Sequence, residues 1–219
     1  MKTIRRKISH AFSLIEMMIV LTVIGILLAF AAPDLFSLMQ SSSLSSEGSY
    51  LRNQLTQAQQ LALAKNSDVE IRFFKLADFA AAETQEGYRA YQLFQYNREG
   101  KMIEVSRFYR INSPIILSER LSTLLNAGSG QTSDDKKFGF VSPSAGKYEI
   151  PVGTRKEETD YVAFRFRPDG STDLPNRSSG DTWYLTLVQG EGAVEDSDPD
   201  NFYCLQVNPY NGQITEFRP

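Results

Sequence analysis

An apolar run with a single charged residue constrains this chain more than any other feature. The run extends from Phe12 to Ala32, and Glu16 is its only charge. Because a helix rises about 1.5 Å per residue, a helix of this length covers the roughly 30 Å hydrocarbon core of a bilayer. The sequence therefore predicts a membrane-spanning helix over 12–32 with a carboxylate near one end.

Two ordinary explanations of this run each leave a feature unexplained. A secretory signal peptide has an apolar core of about 7–15 residues and then a small-residue cleavage site. This run is longer, and it continues after Pro33 into a helix-like pattern. A plain membrane anchor explains the length but not Glu16, since an acid at the bilayer centre costs about 2.5–3.5 kcal/mol on insertion scales. The acid therefore indicates a function beyond anchoring.

The leader before the apolar run, residues 1–11, is short and basic. It carries Lys2, Arg5, Arg6 and Lys7. Because positive residues stay on the cytoplasmic side of a membrane, the leader predicts a cytoplasmic N terminus and a C-terminal domain outside the cytoplasm. The whole chain has a formal charge of −3, so without the four basic side chains of the leader the remainder carries −7. This acidic remainder disfavours nucleic acid as a partner, because phosphate binding depends on lysine and arginine.

The order of these features resembles the class III signal of type IV prepilins and of the pseudopilins of type II secretion systems. The resemblance rests on the basic leader, a small residue, and Phe12–Glu16 leading into an apolar helix. It implies that a prepilin peptidase cuts between Ala11 and Phe12 and methylates the new amino terminus. The family usually has glycine before the cut, so Ala11 departs from its pattern. Gly25 and Pro33 fall where many members have a helix-weakening glycine and a kinking proline.

The resemblance also implies a location and a way of working. It implies a single-pass protein of the bacterial inner membrane whose partners are other pilin or pseudopilin subunits, the prepilin peptidase and an inner-membrane assembly platform. In a packed bundle of such helices, the amino group of Phe12 in one subunit requires an opposite charge, which Glu16 of a neighbour supplies. Removing one partner of a buried ion pair costs about 3–5 kcal/mol. The alternative for Glu16 is an interfacial residue that reaches toward the lipid headgroups.

After Pro33 the pattern remains helical. Apolar residues recur at spacings that form one stripe along a helix: Leu44, Leu51, Leu55, Ala58 and Ala62. A helix is therefore predicted over 12–65, with its second half packed on the domain that follows. The serine run 41–43 lowers helix propensity, so a bend or loosening is expected there.

Beyond residue 66 the period changes from helical to alternating, which predicts a β-rich extracytoplasmic domain over 66–219. The fold class is therefore α+β and pilin-like, with a long N-terminal helix packed on a C-terminal antiparallel sheet. Strands are predicted at 69–73, 88–96, 103–111, 161–167, 183–188, 202–207 and 213–217, with a short buried element at 114–117 and a helical turn at 118–125.

Two turns in the last third extend the resemblance. The predicted strand 161–167 is followed by Pro168–Ser171, a turn-forming run. Tyr210–Gly212 predicts a type I′ hairpin that joins the last two strands. This strand, turn and closing hairpin are similar to those of H-type minor pseudopilins and FimT-like minor pilins, which implies a minor subunit. The alternative is an unrelated β-sandwich, in which such patterns also occur.

The sequence offers two kinds of candidate chemical site, a calcium loop and an enzyme active site. Asp196, Asp198 and Asp200 place carboxylates at alternating positions, as Ca²⁺ prefers, but their loop lacks the glycine and distal glutamate of an EF-hand. A solvated acidic loop is the alternative. The only histidine, His10, lies in the leader, and the sequence has no nucleotide-binding or hydrolase motif. The chain is therefore not predicted to be an enzyme or, apart from this Ca²⁺ candidate, to bind a cofactor. Its only cysteine, Cys204, is expected to be buried and inert.

Three functions follow from the sequence. The leading one is a minor pilin or pseudopilin that assembles into a type IV pilus-like or type II secretion filament. A DNA-uptake minor pilin would need a basic patch. A membrane-anchored binding or enzymatic domain would not assemble at all. Cleavage and methylation at Phe12 separate the first two from the last.

Overall fold

A computed structural model describes residues 13–77, 86–97, 99–126, 143–152, 155–175, 182–189, 199 and 201–219, without the side chains of 30–38, 40 and 152. The described backbone forms a long helix, α1 (Leu14–Lys65), followed by strands that pair in one sheet. The strands are β1 Val69–Ala77, β2 Glu86–Tyr96, β3 Met102–Glu104, β4 Tyr109–Arg110, β5 Ile115–Leu117, β6 Ser144–Val152, β7 Arg155–Phe166, β8 Trp183–Gln189, β9 Phe202–Val207 and β10 Ile214–Phe217. The predicted α+β class, with an N-terminal helix and a C-terminal antiparallel sheet, is confirmed.

Helix α1 contributes to two compact units, the first ending at Ser42 and the second beginning at Ser43. This division falls within the serine run in which the sequence predicts a loosening, although the backbone remains helical there and at Pro33. The helix ends in a Schellman motif, in which Asn66 has a φ of 50° and the Ser67 amide donates to the Ala62 carbonyl at 3.3 Å.

In the second unit, the apolar stripe of α1 packs on the sheet. Leu44, Leu51, Leu55, Ala58 and Ala62 are each at most 1% exposed, as the spacing predicts. Burying a leucine side chain contributes about 1.5–3 kcal/mol. The inner sheet face contributes to the same core: Val69, Ile71, Phe73, Tyr91, Leu93, Phe164, Phe166, Trp183, Leu185, Leu187, Tyr203, Leu205 and Val207.

The strands lie in the order β10-β9-β8-β5-β2-β1-β7-β6, and β3 and β4 also pair with β2. All of these pairs are antiparallel. Strand β1 lies between β2 and β7, and a bulge shifts its register with β2 between Phe74 and Lys75. The two ends of this order are β10 and β6, so each is an edge strand among the described residues.

The outer sheet face carries a second, smaller core. Its buried members are Phe74, Leu76, Ala90, Phe94 and Ile150. The alternation of apolar and charged residues over 69–73 predicts one buried face for β1, but all six residues from Val69 to Phe74 are buried. The prediction was wrong because side chains of β6 and of the segment before β4 cover the second face.

Both glycine turns of the last third differ from simple two-residue hairpins. In the first, Gly170 has a φ of 85° and its amide donates to the Arg167 carbonyl, while the Arg167 amide donates to the Ser171 carbonyl. This is a type I turn with a bulge at the left-handed glycine. In the second, the Gly212 amide donates to the Asn208 carbonyl. Only Gly212 of its turn has a positive φ, so the predicted type I′ turn, which requires two, is wrong.

Three other local predictions need correction. The strand predicted at 103–111 is divided into β3 and β4, because residues 105–108 leave the ladder. The helical turn predicted at 118–125 is reduced to a short 3₁₀ turn at Thr123–Leu125. Strand β6 and the first half of β7 were not predicted. Most of their described side chains are exposed. The apolar alternation of β6 is short, limited to Tyr148, Ile150 and Val152, and residues 155–160 of β7 have no apolar side chain. Backbone pairing joins the two strands.

Candidate functional site

The N-terminal part of α1 is apolar on all sides. Every described side chain from Ser13 to Ala29 is exposed, and the large apolar ones range from 45% exposed at Val20 to 79% at Leu14. A helix that is apolar on all sides requires lipid or other protein to cover it. This segment is therefore the candidate site of assembly. No helix within the described residues is both long enough and apolar enough to cross a bilayer.

Glu16 lies in the first turn of this helix, and it is exposed. Ser13 immediately precedes the helix, and its carbonyl accepts from the Met17 amide at 3.2 Å. The spacing Ser13-x-x-Glu16 is that of a capping box, and a negative charge in the first turn also favours the helix dipole. Among the described residues, neither the Ser13 nor the Glu16 side chain makes the hydrogen bonds of that motif. The local contribution of Glu16 is therefore its charge at the positive end of the helix dipole.

The other residues of the predicted site fall in different places. Ala11 and Phe12 lie outside the described residues. Gly25 lies within continuous helix, and a Cβ built on it would meet nothing within 4 Å. The backbone at Pro33 is helical. The structure therefore leaves the predicted cleavage site and the roles of Glu16, Gly25 and Pro33 as predictions.

The calcium candidate is likewise untested, because Asp196, Asp198 and Asp200 lie outside the described residues. Within the described ranges, no three histidine, cysteine, aspartate or glutamate side chains group closely enough to hold a metal ion.

The two turns that extend the resemblance meet at one side chain of α1. Gln59 Nε2 donates to the Gly170 carbonyl at 3.0 Å and to the Asn211 carbonyl at 2.6 Å. The Thr172 amide donates to the Pro209 carbonyl at 2.9 Å and joins the two turns directly. The sequence predicts both turns, but it does not predict that they lie in contact with each other and with Gln59. Because the amide group of Gln59 contacts both, it holds the C-terminal part of α1 to the turn after β7 and to the turn between β9 and β10.

A buried ionic cluster on the outer face of the sheet has its polar groups paired. Glu70, 2% exposed, accepts from Arg72 Nε at 2.5 Å, from Arg165 Nε at 2.7 Å and from Tyr96 Oη at 2.9 Å. Burial by itself lowers the pKa of Arg72, but the Glu70 carboxylate raises it above its ordinary value. Three rings lie within about 5 Å of the Arg72 guanidinium: Phe94, Tyr148 and Tyr161. The Glu70 carboxylate accepts three hydrogen bonds from side chains of β1, β2 and β7. The cluster therefore links these three strands and stabilises the sheet.

The thiol of Cys204 is half-buried rather than buried as predicted. Strand β9 alternates, and its buried positions are Tyr203, Leu205 and Val207, so Cys204 projects from the opposite face. Thr186 Oγ1 lies 3.4 Å from its sulfur. Burial raises the pKa of the thiol, which keeps it protonated at neutral pH and poorly nucleophilic.

Comparison with known proteins finds one match, at the N-terminal end. The family model described as the prokaryotic N-terminal methylation motif matches residues 6–32. The chain carries a prokaryotic N-terminal methylation motif. The match supports a type IV pilin-like protein that a prepilin peptidase processes, and it includes Ala11, Phe12, Glu16 and Gly25. No curated protein and no solved structure matches the chain significantly, so the H-type and FimT-like resemblance of the β domain stays a prediction.

Proposed function

We propose that this protein is a minor pilin or pseudopilin, a membrane-anchored subunit of a type IV pilus-like or type II secretion filament. The observation that carries the proposal is the methylation motif at residues 6–32, which overlaps a helix whose described side chains from 13 to 29 are all exposed and, apart from Ser13, Glu16 and Thr22, apolar. An exposed apolar helix must be covered by lipid or by protein. In a pilin-like subunit, lipid covers it first and protein covers it later. The bilayer covers it before assembly, and neighbouring helices cover it afterwards.

The proposed mechanism begins with cleavage of the bond between Ala11 and Phe12. Cleavage frees a new α-amino group four residues before Glu16, which is one helical turn. When a neighbouring subunit packs alongside with an offset of about one turn, its Glu16 lies opposite this amino group. Both charges then lie in a water-excluded bundle, where pairing offsets the cost of burying them. Glu16 lies in the first turn of α1, so its charge favours the helix dipole there.

The proposed location is the bacterial inner membrane, with the span at 12–32 and the β domain on the side opposite the basic leader. Four basic residues within residues 1–11 support this orientation. The expected partners are other pilin-like subunits, the prepilin peptidase and the assembly platform. The net charge of −7 outside the leader favours a secretion or adhesion role over DNA uptake. We propose no catalytic activity and no required cofactor.

The test is the mass of the N-terminal peptide after expression with and without a prepilin peptidase. The expected product begins at Phe12 and is one methyl group heavier than the unmodified chain, and it is absent from the host without the peptidase. An intact Met1 terminus in both hosts, or a cut near Ala32, would overturn the proposal. Processing without co-purification of any pilin-like subunit would leave a membrane anchor that does not assemble, and the minor-subunit role would then be wrong.

A further inference from the structure

Three tyrosine rings form a chain that joins α1 to the sheet. Tyr50 of α1 and Tyr109 of β4 have ring centres 4.4 Å apart and an interplanar angle of 31°. The ring of Tyr91, on β2, lies 5.1 Å from that of Tyr109. Tyr50 is 41% exposed, Tyr109 is half-buried and Tyr91 is 2% exposed. The chain of rings therefore extends from the surface into the core.

A buried carboxylate contacts the middle ring of this chain. Tyr109 Oη donates to the Glu47 carboxylate, at 2.9 Å from Oε2 and 3.1 Å from Oε1. Asn112 Nδ2 donates to the same carboxylate, and Glu47 is 6% exposed. A carboxylate within hydrogen-bond reach of a phenol is placed to take its proton.

Tyr109 and Glu47 have the geometry for oxidation of the phenol coupled to proton transfer. Burial and the hydrogen bond to Glu47 raise the pKa of the Tyr109 phenol, so the phenol is protonated at neutral pH. Loss of an electron makes a phenol strongly acidic, and Glu47 is in position to receive the proton. Tyr91 differs, because its buried hydroxyl has no hydrogen-bond partner among the described residues. Oxidation therefore produces a neutral radical at Tyr109 rather than at Tyr91.

We propose that Tyr50 and Tyr109 form a site of oxidative cross-linking, at which a peroxide-derived oxidant joins their rings as dityrosine. Each ring gives up one electron and its phenolic proton, which passes to Glu47 from Tyr109 and to water from Tyr50. The two radicals form a carbon–carbon bond between positions next to the hydroxyls, and the hydrogens on those carbons move to the oxygens. The protein loses two hydrogen atoms, and one hydrogen peroxide becomes two molecules of water.

The positions of the two rings favour this pair over others. Tyr50 is exposed, so the oxidant can reach it. Among the described aromatic pairs, its distance to Tyr109 is the shortest between ring centres. Ordinary aromatic packing would explain the contact, but it predicts neither a preferred covalent product nor a dependence on Glu47. The inference does not depend on filament assembly.

The test oxidises the full-length protein in detergent micelles with hydrogen peroxide and a haem peroxidase, at a protein concentration that keeps monomers apart. The expected product is a monomer that shows the blue fluorescence of dityrosine and is lighter by two hydrogen atoms. Peptide mapping should find the Tyr50 and Tyr109 peptides joined. Because this bond closes a loop of about 60 residues, Tm should rise by roughly 10 °C.

Substitutions of the two rings and of one distant ring test the site. Tyr50→Phe and Tyr109→Phe should each lower the yield of cross-linked monomer at least tenfold. Tyr210→Phe is the matched control, because Tyr210 is 67% exposed and belongs to none of the described ring pairs. It should leave the yield unchanged. Cross-links only between molecules, or monomers joined at other tyrosines, would overturn the proposal.

Two substitutions of Glu47 test the proton transfer. Glu47→Gln keeps an oxygen that can accept from Tyr109 but takes up no proton, so the yield should fall at least fivefold. Glu47→Asp keeps the carboxylate and should recover part of the yield. Thermal unfolding of each variant checks that the fold is retained. A parental yield from folded Glu47→Gln protein, or equal losses in both variants, would overturn the role of Glu47.

Discussion

Replacing Gly48 with alanine should raise helix propensity but introduce a steric clash with the ring of Tyr203. Gly48 lies in α1, where alanine is normally about 1 kcal/mol more favourable than glycine. A Cβ built on Gly48, however, would lie 2.3 Å from Cγ of Tyr203 and within 2.5 Å of both adjacent ring carbons. Carbon atoms pack at about 3.5–4.0 Å. The ring would therefore have to retreat by more than 1 Å.

The Tyr203 ring has little freedom to retreat. It is 1% exposed, its hydroxyl donates to Glu216 at 2.6 Å, and the Arg218 guanidinium lies 4.4 Å from its centre. Overpacking a tight core costs about 1–3 kcal/mol, and a displacement of this size in a tethered ring belongs at the upper end. After the gain in helix propensity is subtracted, Gly48→Ala should destabilise the unit by about 2 kcal/mol. At about 2–4 °C per kcal/mol for a domain of this size, Tm should fall by roughly 4–8 °C.

The assay is thermal unfolding followed by circular dichroism, and a double-mutant cycle supplies the control. With Tyr203→Leu as background, the clash is absent and Gly48→Ala should stabilise by up to about 1 kcal/mol. The effect of one substitution should therefore change sign with the residue opposite. Gly25→Ala, which meets nothing within 4 Å, should leave this transition unchanged. A Tm for Gly48→Ala equal to or above that of the parent would refute the packing of α1 on β9.

Four further outcomes are expected. Glu16→Leu should insert into membranes at least as well as the parent and still be cleaved, but should not co-purify with other pilin-like subunits. Glu16→Gln, which keeps the size and polarity of the side chain but removes its charge, should fail equally. Ala11→Gly should be processed at least as fast as the parent in a peptidase time course, and Ala11→Leu should be processed slowly. Gly212→Ala should destabilise by about 2 kcal/mol or more in urea unfolding, because φ is +63° and the new Cβ meets the Gly170 carbonyl. Burial raises the pKa of Tyr88 to about 12, so its contribution to stability is complete below pH 10 and is lost as pH rises toward 12, which absorbance at 295 nm during alkaline unfolding will show.

Each of these four has a result that contradicts it. Normal co-purification of the Glu16→Leu protein would show that the acid is only an interfacial residue. Failure of Glu16→Leu with normal assembly of Glu16→Gln would show that the polarity of the side chain matters and its charge does not. Equal cleavage of Ala11→Gly and Ala11→Leu would show that the peptidase does not read this side chain. An unchanged urea midpoint for Gly212→Ala would contradict the docking of the last turn. Ionisation of all tyrosines near pH 10 without unfolding would contradict the burial of Tyr88.

The helix and its docking face could be predicted because one physical pattern determines them. The apolar residues recur at helical spacing, and each of them is buried: Leu44, Leu51, Leu55, Ala58 and Ala62. The N-terminal motif could also be found from sequence, since its residues are contiguous. Gln59 could not be found, because a single amide on a helix gives no sign of which carbonyls it will meet 111 and 152 residues later.

Strand β1 shows why alternation alone was an incomplete guide. Glu70 and Arg72 are the polar positions of an alternating strand, so they indicate a face in water. Both are buried, because Glu70 pairs with two arginines and aromatic rings cover Arg72. Strand β6 and the start of β7 could not be predicted, for the opposite reason. Their exposed charged residues suggest a loop, yet the two strands pair along their whole length.

The double hydrogen bond of Gln59 has a consequence for the order in which the chain matures. Its two acceptors lie 111 and 152 residues further along. At synthesis rates of about 5–20 residues per second, the second acceptor emerges roughly 8–30 s after Gln59 does. During that interval the helix can pack on β1 and β2 but not on the last hairpin. The final turn therefore completes the docking of the helix last, and a subunit truncated before Asn211 would lack one of the two hydrogen bonds that Gln59 makes.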